Sequence, residues 1–168
     1  MKKIILALAC IGLVGCQQGK MGYVDNVKLM NEYQEKIDLE AEFNSKVETF
    51  GKKRDSIQQA FQMKAQAFQA KAQKMAQSKA QEEYALLQQE SQSIGQQLQQ
   101  EEQQLQIASQ TQMDDLVNKV KEEIKAYGKA NSFTYILGGG EGGSVLYGTD
   151  ADNLTEAITK ILNDNYKK

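Results

Sequence analysis

The chain has 168 residues, of which 40% are hydrophobic and 25% charged, and its 20 basic and 22 acidic residues leave a formal net charge of −2. It contains no histidine and only two cysteines, which excludes Ser-His nucleophilic pairs and the usual zinc ligand sets. The slightly acidic charge balance argues against nucleic acid as a partner.

The N-terminal residues are typical of an export signal. Two lysines precede an apolar run, Ile4–Leu13, which is far shorter than the ~20 residues that span a bilayer but suits a secretory signal. The run ends in Leu13-Val14-Gly15-Cys16, which resembles the lipobox of bacterial lipoproteins, where the peptide is cut before an acylated cysteine. We therefore predict a signal peptide at residues 1–15 and lipidation at Cys16. The alternative is a secreted protein with an incidental cysteine.

Residues 16–20 are predicted to form the lipidated cysteine and a polar tether, and the first folded element follows them. Met21–Asp25, with the motif Gly22-Tyr23-Val24-Asp25, predicts a short strand, and Asp25 or Asn26 is placed to cap the next helix. The apolar side of that helix consists of Val27, Leu29, Met30 and Tyr33. We assign residues 21–34, together with 130–168, to a small β body with short helices.

A proline-free block at residues 35–129 predicts a long helical arm. About twenty glutamines, which favour helix without adding charge, lie between Gln58 and Gln112. Apolar residues recur in the block at steps of three and four, with Arg54 taking one position, as in a narrow coiled-coil seam. The first set of seam positions is Phe43, Val47, Phe50, Ile57, Phe61, Ala65, Phe68, Ala72 and Met75. The second set is Tyr84, Leu87, Ile94, Leu98, Leu105, Leu116, Val120, Ile124 and Tyr127.

The seam is interrupted between these two sets, where Ser78 and Gln81 have the spacing of a capping box. We place a tight turn near residues 76–78, so that the block folds into an antiparallel helical hairpin. Charge supports this fold, because Lys52–Lys79 carries seven basic residues and one acidic residue, whereas Glu82–Glu102 carries five acidic residues and no basic one. The alternatives are one continuous helix and a charged face that is only solvated.

Two further strands and a helix are predicted after the arm. Phe133–Leu137 is rich in aromatic and β-branched residues, as strands are. Gly138–Gly143 is predicted to be a flexible turn, and Ser144–Tyr147 the return strand. Asn153 and Glu156 have the spacing of a second capping box, which opens a last amphipathic helix.

The remaining motifs do not indicate catalysis. The glycine run differs from a phosphate-binding loop, which needs a following Lys-Ser/Thr and a helix. The carboxylate pairs Asp114-Asp115 and Glu122-Glu123 lie on a helix, where neighbouring residues point about 100° apart, so a solvated face explains them better. We therefore predict that the protein is not an enzyme and uses no metal or cofactor.

The order of these elements resembles the Skp (OmpH-like) family of periplasmic chaperones across essentially the whole mature chain. The resemblance rests on Gly22-Tyr23-Val24-Asp25 before a helix, the glutamine-rich hairpin, Val145-Leu146-Tyr147, and Asn153-Leu154-Thr155-Glu156 before Ile161-Leu162-Asn163. The family usually has Asp where Asn153 stands, and its familiar members are soluble, whereas this chain has a lipobox.

The resemblance implies a mainly α fold in which a long antiparallel helical hairpin projects from a short-stranded sheet, and in which that sheet forms an intersubunit β-barrel in a homotrimer. The residues implied for this oligomerisation body are Tyr23, Val24, Tyr135, Ile136, Leu137, Val145, Leu146 and Tyr147. The family holds unfolded outer-membrane β-barrel proteins between its arms without ATP. The residues implied for client binding near the tip are Phe61, Met63, Lys64, Phe68, Lys71, Lys74, Met75 and Lys79.

We therefore expect a periplasmic holdase that binds unfolded outer-membrane or other envelope proteins. Its lipid would attach it to the inner or the outer membrane. The alternative is a structural or adaptor lipoprotein whose coiled-coil arms bind a folded envelope partner. A holdase needs mobile arms around a cavity, whereas an adaptor needs rigid arms with one docking face.

Overall fold

The computed structural model describes residues 19–167, so the predicted signal peptide and Cys16 lie outside the described residues. The elements in chain order are β1 (Lys20–Asp25), α1 (Asn26–Glu32), α2 (Gln34–Ala72), α3 (Gln77–Ala130), β2 (Phe133–Gly139), a 3-10 turn (Asp150–Asp152) and α4 (Thr155–Tyr166). The prediction of a mainly helical fold with a small sheet is confirmed.

The chain divides into two compact units. The described residues up to Tyr33, together with those from Val120 onward, form the body unit, and Gln34–Lys119 form the hairpin unit. In the body unit, β1 and β2 pair in parallel, with Met21 opposite Tyr135 at one end of the ladder. Parallel strands need a long connection between them, and here helices α2 and α3 supply it.

The glycine run after β2 forms the predicted turn. Gly140 and Gly142 have φ angles of +81° and +78°, which glycine adopts without the steric penalty that a Cβ imposes. Gly143 is constrained by space, because a Cβ there would lie 2.6 Å from the backbone carbonyl group of Gly139. Glycine is therefore required at this turn for both backbone conformation and close packing.

The predicted return strand at Ser144–Tyr147 is wrong. Val145 forms one isolated bridge with Gly139, and its amide donates to the Gly138 carbonyl at 3.1 Å. Beyond that contact the chain leaves the sheet, and Leu146 and Tyr147 belong to no strand. Val145, Leu146 and Tyr147 are of β-forming types, but among the described residues they have no strand to pair with beyond the one bridge at Val145.

The core of the body unit lies between β1, α1 and α4. Val24, Leu29 and Ile158, one from each element, are at most 1% exposed. The buried positions of α4 are Thr155, Ile158, Thr159 and Leu162. Their spacing of three and four residues places them on one face of the helix, so packing of that face against the rest of the unit holds α4 in place.

Side-chain oxygens accept hydrogen bonds from backbone amides at the starts of the two short helices of the body unit. The Asp25 carboxylate accepts a hydrogen bond from the Lys28 amide at 2.9 Å, as predicted for the start of α1. At α4 the predicted capping box is wrong, because the Asn153 side chain accepts from the Thr155 amide, at 3.0 Å. Glu156 does not complete a box because its carboxylate pairs with Lys28 at 3.2 Å, and this hydrogen bond raises the pKa of Lys28.

In the hairpin unit the turn lies at residues 73–76, slightly earlier than the predicted 76–78. The Lys74 amide donates to the Lys71 carbonyl at 2.9 Å, which is the tightened bonding that ends many helices. The Ala76 carbonyl then accepts from the Ala80 amide at 3.0 Å. Helical bonding therefore restarts at Ala76, and the capping signal at Ser78 falls inside the first turn of α3.

Three ion pairs join α2 and α3 in antiparallel register. They are Glu35–Lys119, Lys53–Glu101 at 2.6 Å and Lys64–Glu90 at 2.5 Å. From each pair to the next, the residue number rises on α2 and falls by the same amount on α3. The two helices are therefore antiparallel and are not one continuous helix. The intervals between pairs are about five and about three helical turns at 3.6 residues per turn, so all three pairs lie on one flank. Exposed pairs contribute at most about 1 kcal/mol each, and here they mainly set the register.

The seam between α2 and α3 is thin, as predicted. Most of the predicted seam positions within the hairpin unit are half-buried, but only Phe50, at 9%, and Leu116, at 2%, count as buried. Val47 is 45% exposed, and Arg54 pairs with its neighbour Asp55 at 3.2 Å. The hairpin unit therefore covers little of its own apolar surface.

Candidate interaction surfaces

Four apolar side chains of the body unit are exposed on β2 and in the segment after its turn. Their exposed fractions are 61% for Tyr135, 43% for Leu137, 98% for Leu146 and 87% for Tyr147. Tyr135 and Leu137 flank the half-buried Ile136 because successive residues of a strand point to opposite faces. We call these four residues the body patch, and they are half of the eight residues predicted for oligomerisation.

The other four predicted residues pack within their own chain. Val24 is 1% exposed, and Tyr23, Ile136 and Val145 are half-buried. The Tyr23 ring lies so close to Gly148 that a Cβ there would be 2.5 Å from it. These side chains therefore support the fold of the body unit, and Val24 in particular is a core residue.

The aromatic and methionine residues predicted for client binding occupy two kinds of position. Phe61, Phe68 and Met75 are half-buried, and Phe68 stacks on Tyr84 with ring centroids 6.3 Å apart. Met63 points away from the seam and is 61% exposed. Phe61 and Phe68 therefore belong to the seam of α2 and Met75 to the turn at residues 73–76, whereas Met63 is available to a partner.

The four predicted lysines also differ in their surroundings. Lys64 forms the ion pair with Glu90. Lys71, Lys74 and Lys79 are exposed and form no ion pair with any residue from 19 to 167. The end of the hairpin unit near its turn therefore carries three positive charges that form no ion pair with the described residues.

A groove with a volume of about 290 Å³ lies between α2 and α3 near the turn. Its apolar lining is Ala67, Phe68, Leu86 and Leu87, and its charged rims are Lys64 and Lys71 on α2 and Glu83 and Glu90 on α3. We call it the hairpin groove. Phe68, Lys64 and Lys71 were predicted as site residues, and the structure brings them together here with residues of α3.

In the α3 wall of this groove, Leu87 was predicted from the sequence to lie in the seam, but Leu86 was missed. Leu87 fits the seam period and is half-buried, whereas its neighbour Leu86 is 58% exposed. Adjacent helical residues point about 100° apart, so two consecutive leucines cannot both lie in a narrow seam. Leu86 does not fit the seam period, and this mismatch was the available signal for an apolar residue outside the seam.

Neither a metal site nor a membrane span is found in the described part of the chain. Residues 19–167 contain no group of carboxylates and other ligand side chains arranged to hold a metal ion. None of the helices in that range combines the length and apolarity needed to cross a membrane.

Comparison with known proteins gives one family. No curated protein matches this chain. The structure is similar to a crystal structure from Caulobacter crescentus CB15 described as "a putative outer membrane chaperone (OmpH-like)", with a TM-score of 0.77 and 15% sequence identity, over 90% of this chain and 88% of that chain. The model of the family "Outer membrane protein (OmpH-like)" matches residues 20–162. Since that match covers most of the sequence, the chain belongs to the OmpH-like outer membrane protein family.

Proposed function

We propose that this protein is an ATP-independent holdase chaperone of the periplasm, which binds unfolded outer-membrane proteins and prevents their aggregation. Membership of the OmpH-like family and the fold support a chaperone role. The observation that carries the binding step is the apolar surface that the hairpin unit leaves uncovered. Near the turn, large apolar side chains are exposed at Met63, Tyr84 and Leu86, with exposed fractions between 55% and 61%.

Such a surface suits an unfolded client better than a folded partner. An unfolded chain presents its apolar side chains in no fixed spatial arrangement. It also loses conformational entropy if binding forces it into one structure, and this loss lowers its affinity. Scattered exposed apolar residues, separated by uncharged glutamines, offer many weak contacts without demanding one register. A folded partner would instead be matched by one contiguous apolar patch.

We infer that the body patch binds further copies of the same chain and that the assembly is a homotrimer, as the family resemblance implies. Two neighbouring apolar side chains that are 98% and 87% exposed, Leu146 and Tyr147, are costly to leave in water. β2 also has an outer edge that is bonded only at Val145 by the described residues, and an unpaired strand edge is a template for another chain. Assembly into an oligomer with closed symmetry is the usual way to cover both the apolar side chains and the strand edge.

The test uses the chain from residue 17 onward, which retains every described residue. A urea-unfolded outer-membrane β-barrel protein is diluted into it at micromolar concentration without detergent or ATP, while light scattering and the mass of the complex are recorded. We expect suppressed scattering and a complex of three copies with one client. Unchanged scattering would contradict the holdase and favour the adaptor, for which a pull-down of a folded partner is the next experiment.

We also propose that Cys16 carries the lipid that anchors the protein. Replacing it, as Cys16→Ser in the full chain, is expected to abolish incorporation of radiolabelled palmitate, because the acyl chains need the cysteine sulfur and the amine released by cleavage before it. Cys10→Ser is the matched control, since it removes the other cysteine but leaves the lipobox intact. Equal labelling of both variants would rule out the lipobox assignment.

A further inference from the structure

The hairpin groove has the size of a site for side chains. Its volume of about 290 Å³ is just below the range for small-molecule pockets, about 300–1,000 Å³. We propose that the groove binds a large apolar side chain of an extended unfolded segment, with a preference for aromatic residues. The inference rests on the proposed holdase function and deepens it by naming where a client is bound and which of its residues is selected.

The lining of the groove accounts for the preference for aromatic side chains. Phe68 is half-buried, lines the groove and already stacks on Tyr84. An incoming aromatic ring can add to this aromatic pair in an offset or edge-to-face arrangement. It would also cover Leu86, which is 58% exposed without a partner.

Charge decides which kind of occupant the groove accepts. The Lys64–Glu90 ion pair joins the two rims at one position, whereas Lys71 and Glu83 form no ion pair with any described residue. The groove therefore offers one free positive and one free negative charge on opposite walls. A neutral segment, or one with a single charge of either sign beside the aromatic residue, is complementary to it. A uniformly charged surface of either sign is not, because it would meet a like charge on one wall, Lys71 or Glu83.

A second copy of this chain is a poorer occupant than a client segment. The groove is concave, so the same groove on another copy cannot fill it. The occupant must be a protruding side chain on a flexible backbone, which an unfolded segment provides at every aromatic residue. Binding to a second copy is nevertheless distinguishable in the experiment below, because it would depend on protein concentration.

The test is a methyl NMR titration of the chain from residue 17 onward with a ten-residue unstructured peptide that contains one phenylalanine beside one aspartate. We expect the methyl signals of Leu86 and Leu87 to shift, and that of Ile107, on the same helix but outside the groove, to stay. The same peptide with alanine in place of phenylalanine should bind about tenfold more weakly. Shifts spread evenly along the hairpin unit would overturn the proposal.

Two pairs of variants sharpen the test. Leu86→Ser should raise the Kd of the phenylalanine peptide about tenfold, whereas Ile107→Ser should leave it unchanged, although both remove an exposed apolar side chain from α3. Lys71→Gln should weaken binding, and Lys121→Gln, outside the predicted client-binding residues, should not, although both lysines are exposed and form no ion pair within residues 19–167. Equal effects within either pair would contradict the groove.

The outcome also separates this inference from the proposed function. If the wild-type protein suppresses client aggregation but Leu86→Ser binds the peptide like Ile107→Ser, the groove is wrong and the holdase stands. If aggregation is not suppressed at all, the proposed holdase function is wrong, and the inference that the groove binds a client segment is overturned with it. If the Leu86 signal shifts with protein concentration in the absence of peptide, a second copy occupies the groove and the proposal is overturned.

Discussion

Replacing Ile158 by alanine is expected to lower the free energy of unfolding of the body unit by about 2–5 kcal/mol, the usual cost of truncating a fully buried aliphatic side chain. Ile158 is 0% exposed, as is Leu29 on α1, and α1 packs on α4. Since the small body unit has few buried side chains, this loss is a large part of its stability. Native-state hydrogen exchange of the α1 and α4 amides measures it directly.

Ile107→Ala provides the control, because it is the same substitution at a residue that is 66% exposed. We expect it to change the stability by no more than about 0.5 kcal/mol, as is usual for surface positions. Comparable losses in the two variants would show that the packing of α4 against α1 does not hold the body unit together.

A double variant of the body patch, Leu146→Asp with Tyr147→Ser, is expected to abolish assembly and leave a folded monomer. The two side chains are 98% and 87% exposed, so the fold of a single chain does not depend on them. At an interface, however, a buried aspartate without a partner is strongly unfavourable. The mass in solution, measured by sedimentation equilibrium, should fall from three copies to one.

Two control measurements test this interpretation. Ile107→Asp introduces the same charge at an exposed apolar residue of the hairpin unit and should keep the wild-type mass. Far-ultraviolet circular dichroism should show unchanged helix content in both variants. A double variant that retains the wild-type mass would mean that the body patch is not the interface, and a monomeric wild-type protein would refute the trimer itself.

The sequence predicted the hairpin unit well because local periodicity carries most of the information there. Apolar steps of three and four defined the seam, and the separation of lysines from glutamates predicted antiparallel pairing. The pairs Lys53–Glu101 and Lys64–Glu90 confirm it. The position of the turn was less accurate, because a capping box describes side-chain preferences. The backbone hydrogen bonds at Lys74 and Ala80 decided where helix ended and resumed.

In the body unit, local sequence patterns were not sufficient to predict correctly which segments form strands. Val145, Leu146 and Tyr147 have high strand propensity, but propensity mainly records how well a side chain fits a half-buried pleated surface. Whether such a surface exists depends on residues far away in the sequence or in another chain. The groove was half predicted for a related reason, since periodicity identified Phe68 in the seam but cannot show that Leu86 stands beside it across the turn.

The parallel pairing of β1 with β2 also determines the order in which the protein folds. β1 precedes the hairpin, and Met21 pairs with Tyr135, so β1 has no partner in β2 until most of the chain has been synthesised. Closing so long a loop in an unstructured chain costs conformational entropy and slows folding. If α2 and α3 pair progressively from the turn toward the Glu35–Lys119 pair, each new local contact shortens the loop that remains to be closed between β1 and β2. The helical hairpin is therefore expected to form first and to act as a folding template for its own sheet.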